Sequence, residues 1–216
     1  MSTISLSKEK QQSVLAKVYA YMFMGLLITA LTSYEVSQNI AALELTRNTF
    51  FLIVLFQLGL VVVFSFLITK IHPVIATGLF IIYSITTGVV LSLILLAYTQ
   101  SSVTSAFVTT AGVFGLSSFY ALTTKRNLNS WGGYLFMGLI GLILSSVVNF
   151  FIGSGPMDFV ISIIGVVLFI GLTAYDTQKI TTNRVYATYP VLGAFILYLD
   201  FINMFLYILR LFGSRK

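Results

Sequence analysis

The chain of 216 residues contains no cysteine, which excludes a disulfide framework and any thiolate metal site. Charge is nearly as scarce. Only 8% of the residues are charged, where a soluble domain carries about 25%. There are six acidic residues and a single histidine. So little polar surface cannot cover a core in water. With 58% hydrophobic residues and a mean hydropathy of +1.00, the surrounding solvent is a lipid bilayer. The net charge of +6 could suggest a nucleic-acid partner. The basic residues instead lie in short gaps between apolar runs, which is a signature of membrane topology, so no nucleic acid is expected. Nor is a cleavable signal peptide expected. The opening "MSTISLSKEKQQSVLAK" is polar, and the first apolar run is long enough to remain as a span.

Long apolar stretches are present instead. A span needs about 20 mostly apolar residues. Seven runs qualify, at 18–34, 50–69, 74–98, 103–123, 131–152, 159–177 and 191–212. Backbone in lipid must satisfy its own hydrogen bonds, so these are helices. The expected architecture is an all-α membrane protein built as one polytopic domain. A cytoplasmic arm covers 1–17, a seven-helix transmembrane bundle 18–213 and a tail 214–216. The runs are apolar all round, so no buried faces are assigned. The glycines Gly112, Gly115, Gly132, Gly133, Gly138 and Gly141 read as close-packing positions.

Lys8, Lys10, Lys17, Lys70, Lys125, Arg126, Lys179 and Arg184 all fall on one side of this layout. The positive-inside rule makes that side, and the N-terminus, cytoplasmic. Arg210, Arg215 and Lys216 break the pattern at the C-terminus. The last run either crosses despite this bias or dips in and returns, and a full crossing is the favoured expectation.

Two of the six acids sit in apolar surroundings. "GLTAYDTQKI" places Asp176 near the end of the sixth run, and "ILYLDFINMF" places Asp200 within the seventh. A charge inside a membrane is costly and usually faces a protein interior or a watery cavity. Asp200 lies ten residues past Pro190, about 15 Å along a helix. If the sixth helix continues a turn past Lys179, the two acids can meet in the cytoplasmic half of neighbouring helices. Two carboxylates in a low dielectric cannot both ionise cheaply, so such a pair shares a proton and titrates as a unit. Ionised, it suits a hard cation such as calcium, with Asn203, Gln178 and backbone carbonyls as supporting ligands. Other readings stand beside this one: Asp176 as a solvated helix end, and Asp200 hydrogen-bonded to a neighbour. Lys70 closes the second run and either snorkels to the interface or pairs with Asp176. His72, beside Pro73, reads as a loop residue.

The block "AYDTQKI" followed by "LYLDFINMFLYILRLFG", within a seven-run layout over nearly the whole chain, resembles the Bax-inhibitor-one family, also called the transmembrane Bax inhibitor motif family. The likeness is to bacterial-type members. It implies a seven-helix fold with the last helix central, and an aspartate pair, here Asp176 and Asp200, that acts as a pH-sensing latch in a calcium leak. It also implies a basic latch partner near the end of the second helix. Lys70 holds about that place, where arginine is the family's usual residue. Some bacterial members are tied to a membrane-embedded ATP-dependent protease as modulators.

Three functions follow as expectations. The first is a pH-sensitive calcium or cation leak without a cofactor, whose partners are lipid, calcium and protons. The second is a non-conducting regulator of other membrane proteins, such as an ATP-dependent membrane protease. The third is an intramembrane aspartyl protease. Tyr175 and Asp176 fit that chemistry, but "LYLD" stands where it requires Gly-x-Gly-Asp, and a Pro-Ala-Leu motif is missing. No enzyme is therefore expected. The expected location is a bacterial plasma membrane.

Overall fold

A computed structural model describes residues 8–66 and 70–215. Residues 1–7 of the expected arm, Leu67–Thr69 at the end of the second expected span and Lys216 lie outside the described residues. The elements are α1 (Lys8–Gln38), α2 (Ile40–Phe66), α3 (Pro73–Leu96) and α4 (Gln100–Thr123), a 3-10 turn (Leu128–Trp131), α5 (Gly132–Ile152), α6 (Gly155–Thr182), the one-turn α7 (Val185–Thr188) and α8 (Pro190–Phe212). Seven of these helices are long and apolar enough to cross a membrane. The protein is an all-α, multi-pass membrane protein.

Several helices outrun their apolar segments. α1 begins ten residues before its apolar run, because "KEKQQSVLAK" is rich in good helix formers. α6 continues past Thr177 to Thr182. Local chemistry fixes the ends. Pro73 occupies the first turn of α3, and His72 Nδ1 accepts from Val74 N–H at 3.4 Å, so the histidine of the gap is a helix cap. Thr99 caps α4 by accepting from Ser102 N–H. Gly153 ends α5 with φ +69°, a left-handed conformation that glycine adopts without strain.

The chain forms two compact units. The first contains α1 to α3 and Ile180–Tyr198. There α3 lies close along α1, because Gly25 receives the Phe80 ring and Gly88 lies against the backbone of Thr29. Phe64 stacks on Phe195 with centroids 3.9 Å apart, and Phe80 meets Tyr198 edge-on. A buried hydroxyl cluster of Thr29, Ser84, Thr87 and Tyr198 joins these helices. Gln57 of α2 donates to Thr87 at 3.0 Å.

The second unit contains Thr99–Lys179 and Leu199–Arg215. Phe201 sits between Phe107 and Phe114, with both centroids at 5.5 Å. Gly165 makes room for the Tyr207 ring, which stacks on Phe169. Arg210 lies over that ring and pairs with Asp158 at 3.1 Å. α8 is the most enclosed of the seven spans. Its apolar window is 67% buried, against 11% for α2 and α5.

Candidate functional site

Both intramembrane acids belong to the second unit. Asp176 lies six residues before the end of α6 and is 8% exposed, so it is not a solvated helix end. Asp200 lies ten residues into α8 and is 5% exposed. They are close enough for the charge of Asp176 to act on Asp200. The extra helical turn of α6 is what places Asp176 inside the span. Around Asp200, α8 is unbroken and carries Leu197, Phe201, Met204 and Ile208 buried at helical spacing.

Hydroxyl groups accompany the acids. Thr173, Asp176 and Thr177 follow the i, i+3, i+4 spacing of one helix face, and all three are buried. Thr177 shares a 3.3 Å hydrogen bond with Ser118 of α4. Two buried oxygens of this unit, Thr173 Oγ1 and Asp200 Oδ2, have no hydrogen-bond partner among the described residues. An unpartnered buried carboxylate oxygen is expensive unless it binds a proton or a cation. The cation whose field reaches Asp176 is Lys179, one turn further along α6, with its ammonium 5.3 Å over the Tyr175 ring.

Of the two supporting residues, Gln178 has its oxygen occupied locally. Gln178 Oε1 accepts from Leu128 N–H at 2.7 Å, and its Nε2 donates to the Arg126 carbonyl at 3.0 Å. The side chain thus ties the α4–α5 linker to α6. Asn203 Nδ2 donates back to Leu199 O of its own helix at 2.8 Å. Lys70 is exposed and belongs to the first unit. Among the described residues, no three His, Cys, Asp or Glu side chains gather into a metal-binding group. Two carboxylates provide four oxygens, whereas calcium takes 6–8. A bound calcium would keep water or take neighbouring hydroxyls and carbonyls.

Sequence reasoning did not single out Thr173, Thr177, Ser117 or Ser118, all of which are buried. Their signal was a set of hydroxyls at three- and four-residue spacing in otherwise apolar helices.

Residues 11–216 match the family model described as inhibitor of apoptosis-promoting Bax1. The chain is 45% identical over 219 residues to inner membrane protein YbhL of Escherichia coli (strain K12), covering 95% of this chain and 93% of that protein. It is 43% identical to an uncharacterized protein of Borreliella burgdorferi, covering 99% of both chains. It is 37% identical to uncharacterized protein RP147 of Rickettsia prowazekii, covering 100% of this chain and 97% of that one.

Proposed function

The chain belongs to the Bax-inhibitor-one family, and from that premise we propose that it is a pH-sensitive leak for calcium or a similar cation, gated by the pair Asp176 and Asp200. A shared proton halves the charge of the pair, from −2 to −1, and closes the path. Loss of the proton leaves a divalent negative site that admits a cation. The observation that supports this reading is Asp200 itself. It is a carboxylate on the most enclosed span, with a buried oxygen that has no partner among the described residues, within the field of a second buried carboxylate. A group so costly to bury is kept where its ionisation is used.

The protein sits in this reading in a bacterial plasma membrane with its N-terminus in the cytoplasm. The basic residues of the even-numbered gaps support that orientation, and the inner-membrane relative supports that membrane. α8 spans about 34 Å at 1.5 Å per residue, enough to cross a hydrocarbon core of about 30 Å. Peptide cleavage has little support. α8 is unbroken through Asp200, and Leu197 is fully buried where glycine would be needed to let a substrate strand approach.

Calcium efflux from liposomes containing the purified protein, measured across pH, tests the reading. Flux that rises with pH and loses its pH dependence in Asp200→Asn is expected. A second reading is a non-conducting regulator of other membrane proteins, a membrane protease among them. The family's description as an inhibitor favours it. Liposomes that hold their calcium at every pH would decide for the regulator.

A further inference from the structure

Among the buried hydroxyls of the second unit, Thr173 stands apart. Thr110, Ser117 and Ser162 each donate to the carbonyl four residues back in their own helix, at 2.7, 2.8 and 2.7 Å. Thr177 and Ser118 bond to each other. Thr173 is fully buried, and its hydroxyl has no partner among the described residues, not even the Phe169 carbonyl four residues back. Donating back along the helix is the ready remedy for a hydroxyl in an apolar span, and leaving it unpaired is costly.

At 3.6 residues per turn, Asp176 projects about 60° to one side of Thr173 and Thr177 about 40° to the other. Asp176 lies on the side of Asp200 of α8, whose carboxyl feels its charge, and Thr177 on the side of Ser118 of α4. Thr173 therefore points between α4 and α8. Its Cβ lies about 5–6 Å from that of Asp176, as for any pair three residues apart on a helix. The other oxygen of the unit without a partner among the described residues is Asp200 Oδ2. Both such oxygens thus belong to the two helices that carry the acids, one of them on an acid and the other a turn from the second acid.

On the reading of the aspartate pair as a cation site, on which this rests, we propose that the Thr173 hydroxyl oxygen is a further, neutral ligand to the calcium held there. Calcium takes 6–8 oxygens, and the two carboxylates provide four. Gln178 Oε1 is tied to Leu128 N–H. The Thr173 oxygen has two lone pairs and is already desolvated, so turning it to an ion breaks no bond. A bridging water would also satisfy it, and the two occupants differ in what the loss of the hydroxyl does without calcium.

The test is calorimetry of calcium binding to the purified full-length protein at about pH 8, where ordinary carboxylates are ionised, together with thermal unfolding in chelator. Thr173→Val replaces the hydroxyl by a methyl at nearly constant shape. It should weaken calcium binding at least about tenfold. In chelator it should be as stable as the wild type or more so, because an unpaired buried hydroxyl is removed and no hydrogen bond is lost. Thr173→Ser keeps the oxygen and should bind calcium nearly as the wild type does. Thr110→Val, which loses a bond within α4, should show the reverse, a lower melting temperature in chelator and an unchanged calcium affinity. Equal affinity in the wild type and Thr173→Val, with Asp200→Asn impaired, would overturn the ligand and leave the aspartate site standing. A lower melting temperature of Thr173→Val in chelator, with that equal affinity, would give the hydroxyl to a structural water. A loss that Thr173→Ser does not restore would also overturn the ligand. No calcium binding by the wild type, or equal binding by Asp200→Asn, would overturn the aspartate site and this ligand with it.

Discussion

Tyr198 donates its hydroxyl proton to Thr29. The Thr29 hydroxyl already donates to the Ser84 carbonyl at 2.9 Å, so in the 2.6 Å contact with Tyr198 the tyrosine must be the donor. Both side chains are buried. Tyr198→Phe should therefore destabilise the protein by about 1 kcal/mol, the usual net worth of such a bond in water or membrane. Thr29→Val should cost more, about 1–3 kcal/mol, because it removes both the bond to the Ser84 carbonyl and the 2.6 Å acceptor of Tyr198, which then has only Ser84 and Thr87 to turn to. Unfolding in detergent micelles measures both. Tyr134→Phe, at a site 76% exposed, serves as the control. A Thr29→Val variant as stable as Tyr134→Phe would contradict the assignment.

Gly88→Ala should separate α1 from α3. An added Cβ would lie 2.6 Å from the Thr29 carbonyl oxygen and 2.7 Å from Thr32 Cβ. The first of these is backbone and cannot turn aside. Overpacking of this kind costs about 1–3 kcal/mol. Gly78→Ala on the same helix meets nothing within 4 Å and should be neutral or slightly stabilising, since alanine is the better helix former. Equal melting temperatures for the two variants would count against the close helix contact.

Gln178 holds the α4–α5 linker whether or not calcium is present. Its oxygen accepts from the backbone of Leu128, whose side chain is fully buried. Gln178→Ala should lose about 1–3 kcal/mol of stability even with a chelator present. Gln178→Glu keeps an acceptor but cannot donate to Arg126 O, so it should fall between the two. If Gln178→Ala were as stable as the wild type in chelator and weakened only calcium binding, Gln178 would be a ligand and not a clamp.

The seven helices could be read from the sequence because each apolar run is long and continuous, which suits a spanning helix and not the short alternating strands of a barrel. Their ends were less legible. The polar starts of α1 and α6 and the polar end of α6 are helical too, the start of α6 with the Ser154 hydroxyl accepting from Met157 N–H, and hydropathy does not register this. Asp176 and Asp200 stood out because a charge in an apolar run is rare, and α6 had only to continue one more turn to carry Asp176 inside the helix. The role of Gln178 was hidden, because its partners Arg126 and Leu128 lie about fifty residues away in a loop. Glycine packing was legible for two of the six glycines singled out. Gly132 and Gly138 do make room for Tyr175 and Leu168, but Gly112, Gly115, Gly133 and Gly141 face open space. The tightest contacts, at Gly25, Gly88 and Gly165, depend on which faces are buried, and uniformly apolar helices do not reveal that.

Calcium and protons should compete for one site on Asp176 and Asp200. A divalent cation is held by two ionised carboxylates, and a proton shared between them removes one of the two charges that hold it. Calcium affinity should therefore fall as pH is lowered through the titration of the pair. Because coupling between two ligands is reciprocal, adding calcium to weakly buffered protein should release protons. Lys179, the cation whose field reaches Asp176, acts in both states and should shift the curve without removing its slope. Asp176→Asn and Asp200→Asn should each abolish the pH dependence. The double variant should be little worse than either single one, since residues that act as a unit are not additive. Calorimetry with purified protein between about pH 4 and 8, a range from ordinary carboxylates to beyond histidine, gives the affinity directly. An affinity that stays flat across that range, or that persists in the double variant, would place calcium elsewhere on the chain. The buried acids would then have to be explained by the hydroxyls around them and not by an ion.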